Sequence, residues 1–318
     1  MSDTERRWVD GCATFYRASK CVLDLIYVES YTYFFFRYQL VERQFIEFNQ
    51  VALQRPDFKK TDDMFNRVLT KDHVAVVTLF ESRATGSRLV VSNVHTHWDP
   101  AFRDVKLVQV ALLMDELQKI SDRFARLPPR VPPHLQEEDP SQPPPPTYSD
   151  GSKIPTLVCG DFNSSPDSGV YEFLANGQVD SDHPDFMSHV YGNYTSDGLR
   201  HRLNLKSAYA DIGEMPFTNY TTGFRGALDY IWFTTNNLTL TSLLGEIDPE
   251  YLSKVVGFPN AHFPSECVHI FIFFIQLSHS FFFYSHICIL SEFRVKQPKE
   301  PQAARPPPVF PSSNGNKH

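Results

Sequence analysis

Paired cysteines are missing from this chain. Cys12, Cys21, Cys159, Cys267 and Cys288 are scattered, odd in number, and form no CxxC pair and no zinc spacing. That excludes a disulfide framework and a zinc ribbon and suits a reducing compartment. A basic excess is missing too: the net charge is −7 at pH 7, so there is no overall signature of a nucleic-acid binder. A nuclease stays open, because a phosphate-handling cleft can be locally basic or metal-loaded. The opening stretch Met1-Ser2-Asp3-Thr4-Glu5-Arg6-Arg7 has no apolar core of the kind a signal peptide needs. Internal repeats are absent. What remains is a globular composition, 42% hydrophobic over 318 residues, enough for one large domain or two small ones.

Apolar runs alternate with one long helical stripe, an α/β pattern. Val74 to Phe80 and Arg88 to His95 read as strands joined by a turn at Arg83 to Ser87. Asp104 to Ile120 carries Val105, Val108, Leu112, Leu113 and Leu117 at helical spacing. Thr156 to Cys159 is a buried strand, and Gly169 to Asn176 a short helix closed by Gly177. Ala227 to Phe233 and Ile287 to Val295 are further strands. Leu127 to Pro155, with four consecutive prolines from Pro143, reads as an exposed excursion, and Gln297 to His318 as a disordered tail. Two segments break the pattern. Cys21 to Arg37 and Cys267 to Tyr284 hold nine of the chain's 27 phenylalanines. The second has no charged residue and nearly reaches membrane-spanning length, but it carries His269, Gln276 and His279 and lacks basic flanks.

The chemistry sits at the strand ends. Gly160-Asp161-Phe162-Asn163 follows a buried run. Gly160 lets the backbone pass close to whatever lies at the strand tip, and Asp161 and Asn163, two apart, can share a face. A carboxylate beside a carboxamide suits a hydrated Mg²⁺ and a phosphate. An Asx-turn after a strand explains the same tetrapeptide. Asn93 to Pro100 places His95 at another strand end, Leu228-Asp229-Tyr230 follows Asn219 and Phe224, and Ser285-His286-Ile287 opens the last strand. Taken singly, His95 is equally a core histidine, Asp229 a strand-end acceptor and His286 a surface residue.

In this order the motifs resemble the endonuclease/exonuclease/phosphatase superfamily and, within it, the fungal carbon-catabolite-repressor-type poly(A) deadenylases, the catalytic subunits of the mRNA deadenylation complex. Trp8 to Tyr16, Ile46 to Asn49, Asn93 to Pro100, Gly160 to Ser165 and His262 to Ser265 carry the likeness. It implies a four-layer α/β sandwich, two mixed sheets flanked by helices, here incomplete. Residues 1–296 would be its C-terminal part, with 127–155 as a Pro-rich loop, 21–37 and 267–284 as anomalous inserts, and 297–318 as the tail. The resemblance implies Mg²⁺-dependent 3′-to-5′ hydrolysis of poly(A) RNA, releasing AMP, in cytoplasm and nucleus, with deadenylation-complex subunits as partners and no membrane. By motif, Asp161 would bind metal and help activate water. Asn163 and His95 would hold the scissile phosphate, Asp229 would orient His286, and His286 would stabilise the developing charge. Pro100, Asn219 and Phe224 would line an adenine pocket, and Glu5 would contact substrate. The alternatives are another phosphodiesterase of the superfamily, or a non-catalytic or membrane-attached relative anchored by 267–284.

The likeness also implies an upstream half-sheet with an Asn motif and a Leu-Gln-Glu motif whose Glu is the main Mg²⁺ ligand, and leucine-rich docking repeats. No upstream counterpart of these occurs here, the one Leu-Gln-Glu, residues 135–137, falling in the Pro-rich tract, and Met1-Ser2 corresponds to an internal position of longer relatives, so the chain is expected to begin mid-domain. In the family, Ser285 would be an Asp that pairs with the next histidine. Lys20-Cys21-Val22 and Glu266-Cys267-Val268 can both be encoded across a GTGCGT splice-donor sequence in one phase. Removing the second segment restores Asp-His. Both inserts therefore read as translated introns, which genomic DNA without GT and AG at those four boundaries would refute. The expectation is a poorly soluble chain, with open sheet edges and little nuclease activity of its own.

Overall fold

A computed structural model describes residues 14, 38–56, 58, 61–83, 85–130, 145–258, 260, 271–272 and 286–296. Glu5, Ser285, residues 21–37, 131–144 and 297–318, and all of 267–284 except Phe271–Ile272 lie outside the described residues. The elements begin with β1 (Tyr38–Glu47), α1 (Phe48–Gln54), β2 (Val74–Ser82), β3 (Arg88–His95), α2 (Arg103–Arg126) and β4 (Thr156–Asp161). Next come α3 (Gly169–Asn176), β5 (Gln178–Val179), α4 (Asn193–Ser196), β6 (Leu199–Arg200), β7 (Leu205–Ser207), β8 (Asn219–Tyr220), β9 (Arg225–Gly226) and β10 (Asp229–Thr234). The last are β11 (Leu238–Leu243), α5 (Pro249–Leu252), β12 (Phe271–Ile272) and β13 (Leu290–Val295).

Six strands form one mixed sheet in the order β1-β2-β3-β4-β10-β7. Only β3 and β4 run parallel, and α2 lies between them in the chain, as a parallel crossover requires. The central strands read as continuous apolar runs because both faces are covered. Val77, Val90, Val158 and Trp232 face α2 and α3, burying Val105, Val108, Leu112, Leu117 and Phe173. Their strand neighbours Phe80, Val91, Leu157 and Ile231 face the other way, onto Leu238, Ile287 and Ile289 and the second sheet, β11-β13-β12. Two sheets face to face with helices outside the larger one make the expected α/β sandwich. Phe271–Ile272, inside one aromatic segment, pairs parallel to β13. Among the described residues no helix is long and apolar enough to cross a membrane.

Two local features differ from the sequence reading. The described ends of the Pro-rich tract are packed rather than free. The Tyr148 hydroxyl accepts from the Arg88 backbone N–H at 2.9 Å, and Arg88 itself caps carbonyls of Phe124, Ala125 and Leu127 at the end of α2. Gly160 is required inside its strand rather than at a ligand. Its φ is +145°, and a Cβ there would stand 1.8 Å from the Val94 carbonyl oxygen of β3.

Candidate active site

Register alone assembles most of the site. His95 pairs with Asp161 across β3 and β4, and Asp229 pairs with Asp161 across β4 and β10. Three adjacent strands thus present His95, Asp161 and Asp229 in a row at one end of the sheet. His286 reaches the row through an isolated bridge to Asn219, and its Nδ1 lies 2.7 Å from Asp229 Oδ2. Its Nε2 is 2.7 Å from Asn219 Nδ2 and 3.7 Å from Asp161 Oδ2, while His95 Nε2 is 3.5 Å from that same oxygen. His286 is therefore largely enclosed and clamped by its neighbours, not a free surface residue.

The electrostatics follow from burial. Burial first, and the charge of Asp229 second, push Asp161 up from 3.8 to about 6, against the pull of His286 and His95. Burial would lower His286, but the charge and hydrogen bond of Asp229, with the charge of Asp161 behind them, push it up to about 9. Among the described residues, Asp229 is therefore the carboxylate that most favours the charged ring. The imidazolium needs an acceptor at Nε2, which the Asn219 amide provides when turned to present its oxygen.

Asn163 is positioned differently from the shared-face expectation. The strand ends at Asp161, and Asn163 turns into the left-handed region with φ 47°. Asp161 Oδ1 accepts from the Asn163 backbone N–H at 2.8 Å, so the tetrapeptide forms the Asx-turn and keeps Asp161 at the strand end. Asn163 Nδ2 donates to the Thr96 carbonyl at 2.9 Å, tying the ends of β3 and β4 together. Pro100 and Phe224 are both exposed, on loops that leave the same sheet end: Pro100 in a short 3₁₀ turn capped by Asp99, Phe224 at the tip of the β8–β9 hairpin. Asn219 is buried and meets His286.

Lys106 was not singled out from sequence. It is 4% exposed, one turn into α2, and its Nζ donates to the Asn163 carbonyl at 2.7 Å. Burial lowers its basicity and the charge of Asp161 opposes that. The available signal was a lysine set inside the apolar run Val105-Lys106-Leu107-Val108.

Asp161, Asp229 and His286 offer ligand atoms within 4.8 Å of one another. Two crowded carboxylates fit a hard divalent cation: Asp229 Oδ1 is buried without a hydrogen-bond partner, and the proximity of Asp229 raises Asp161. A cation beside the pair would relieve both. The arrangement can hold a metal, accept a proton at Asp161 and present an imidazolium to an anion.

Sheet, site and motif order together define a protein of the endonuclease/exonuclease/phosphatase type. The chain belongs to the Endonuclease/Exonuclease/phosphatase family, which matches residues 10–265. It is 57% identical over 297 residues to the CCR4-Not complex 3'-5'-exoribonuclease subunit Ccr4 of Mycosarcoma maydis, covering 93% of this chain and 38% of that protein. It is 47% identical over 303 residues to the subunit of the same name from Schizosaccharomyces pombe, covering 95% of this chain and 38% of that protein. The chain thus spans well under half the length of these relatives. Among solved structures, ANGEL2, a 2',3'-cyclic phosphatase, in complex with adenosine-2',3'-vanadate is similar at 22% identity and a TM-score of 0.49, over 70% of this chain and 63% of that one.

Proposed function

We propose that this chain supplies the Asp–His part of an active site that shortens poly(A) from its 3′ end by Mg²⁺-dependent hydrolysis, releasing AMP. The observation that carries the reading is the in-register row His95, Asp161, Asp229, closed by His286 at 2.7 Å from Asp229. The similarity to the Ccr4 subunits supports the choice of RNA as substrate and a CCR4-Not complex as the assembly.

Asp161 would hold the metal, with Asp229 as the second oxygen donor within reach. Bound Mg²⁺ supplies charge to the scissile phosphate and acidifies water. Asp161 Oδ2 takes the proton of a water attacking phosphorus in line with the P–O3′ bond. His286, kept cationic by Asp229, turns its one Nε2–H from the Asn219 amide to the phosphate as charge builds. One Asn163 amide N–H is engaged by Thr96, which leaves the second for a phosphate oxygen, and His95 stands on the opposite side of Asp161. The P–O3′ bond breaks, the 3′-oxygen takes a proton from solvent and stays on the shortened chain as a hydroxyl, and AMP leaves with its 5′-phosphate. Pro100, Asn219 and Phe224 bracket the terminal adenine.

Product analysis tests this. The chain is fused behind the upstream part of the M. maydis relative and given oligo(A) and Mg²⁺. The proposal expects stepwise release of 5′-AMP from the 3′ end. Internal cleavage, or no hydrolysis of RNA but hydrolysis of a phosphomonoester or cyclic phosphate, moves the chain to another activity of the family.

A further inference from the structure

Trp98 is 67% exposed, the most exposed large aromatic of the described site. An indole left in water at a sheet end that carries buried carboxylates gains nothing for the fold. Its backbone is nevertheless fixed. On one side His97 is buried, with its backbone N–H donating to Gln109 at 2.9 Å. On the other, the Asp99 side chain accepts from the Ala101 N–H at 2.8 Å and starts the turn that carries Pro100. Trp98 is thus displayed rather than loose.

A cation stands in the same cluster. The His97 ring lies 6.2 Å from Trp98 and 5.0 Å from Phe102, and the Lys71 ammonium sits over Phe102 at 4.2 Å. Lys71 pairs with no carboxylate among the described residues. Its charge, together with burial, keeps His97 neutral. Lys71 precedes β2 and Trp98 follows β3, and these antiparallel strands put both at the end of the sheet where His95 stands. An exposed indole face and an ammonium in one ring cluster are what an unstacked nucleotide needs: a surface for the base and a charge for its phosphate.

We propose that Trp98 and Lys71 form a second nucleotide subsite, separate from the wall of Pro100, Asn219 and Phe224, which takes a base one or more positions away from the terminal adenine. The inference rests on the reading of the chain as an RNA-shortening enzyme. It makes the stretch from Trp98 to Pro100 a two-sided guide: Pro100 for the terminal base, Trp98 for a neighbour.

The test is equilibrium binding of fluorescently labelled oligo(A), and of AMP, to the full chain in Ca²⁺, with Trp98→Ala, Trp98→Phe and Lys71→Gln. Trp98→Ala should weaken oligo(A) binding about tenfold and leave AMP unchanged, and Trp98→Phe should restore most of the loss because it keeps a stacking face. Lys71→Gln should reduce the slope of log affinity against log salt by about 0.7, one phosphate contact on a single strand. Equal oligo(A) affinity in Trp98→Ala and the parent chain overturns the subsite while leaving the function standing. Failure of the parent chain to bind oligo(A) at all overturns the functional reading itself. Equal losses for AMP and oligo(A) in Trp98→Ala place Trp98 in the terminal-base wall and also overturn the subsite.

Discussion

Asp229→Asn separates the charge of Asp229 from its shape. The carboxamide keeps the size and one oxygen of the side chain that meets His286 Nδ1 at 2.7 Å, but removes the charge that holds the ring cationic. Burial, which lowers a histidine, then dominates. His286 should fall from about 9 to its ordinary 6.5 or below. A shift of that size corresponds to roughly 3 kcal/mol of preference for the charged ring. Asp161 should fall as well, because Asp229 is the second cause of its elevation after burial. The assay is NMR titration of ¹³C-labelled histidine Cε1 and aspartate Cγ in EDTA, which keeps metal out of the balance. At neutral pH the parent His286 should be protonated and the variant ring mostly neutral. A His286 titration that stays near 9 in Asp229→Asn would refute the assignment of Asp229 as the partner that raises it. An Asp161 that does not move would refute the crowding argument.

Gly160→Ala puts a Cβ 1.8 Å from the Val94 carbonyl oxygen at a left-handed φ, so it should cost roughly 3–5 kcal/mol by urea denaturation, whereas Gly223→Ala, with nothing within 4 Å, should be near neutral. The His286 pKa is raised on folding, so its stabilising contribution is complete below about 6.5 and lost by about 9; Asp161 is also raised, so its contribution fades between about 3.8 and about 6. Without metal, the melting temperature should therefore fall as pH rises through both windows, and a rise would contradict the shifts. Millimolar Mg²⁺ should raise the melting temperature of the parent chain at neutral pH and leave Asp161→Asn unmoved; equal shifts would mean that the ion binds elsewhere. The 318-residue chain, whose one Leu-Gln-Glu, residues 135–137, lies in the Pro-rich tract after α2 rather than upstream of β1, should release AMP far more slowly than the fusion described above, as a side-by-side time course would show.

The sequence made the sheet centre readable because burial on both faces leaves unbroken apolar runs. β2, β3 and β4, the stripe of α2 and the Gly177 cap of α3, with its left-handed φ of 75°, lie where spacing puts them. β1 was hidden. It is an edge strand of half-buried and exposed residues, and a register shift between Leu40 and Glu42 breaks its alternation. The row of His95, Asp161 and Asp229 was legible as motifs but not as a row, because register between distant strands leaves no mark in local spacing. Lys106 was hidden for the opposite reason: its position marks it as helix, and only the tertiary fold turns its ammonium onto the Asn163 carbonyl. The approach of His286 to Asp229 left no mark in local spacing, since 67 residues separate His286 from the Asn219 bridge that brings it in.

The central claim is that Asp161 and its in-register neighbours form one phosphoryl-transfer site. Its most direct test is the rate of 5′-AMP release from oligo(A) in Mg²⁺ by the fusion with the M. maydis upstream part, measured for the parent, Asp161→Asn and His286→Ala. Each substitution should slow release by at least about 100-fold while the folded circular-dichroism spectrum and oligo(A) affinity hold. Release at the parent rate in a folded Asp161→Asn fusion would contradict the account.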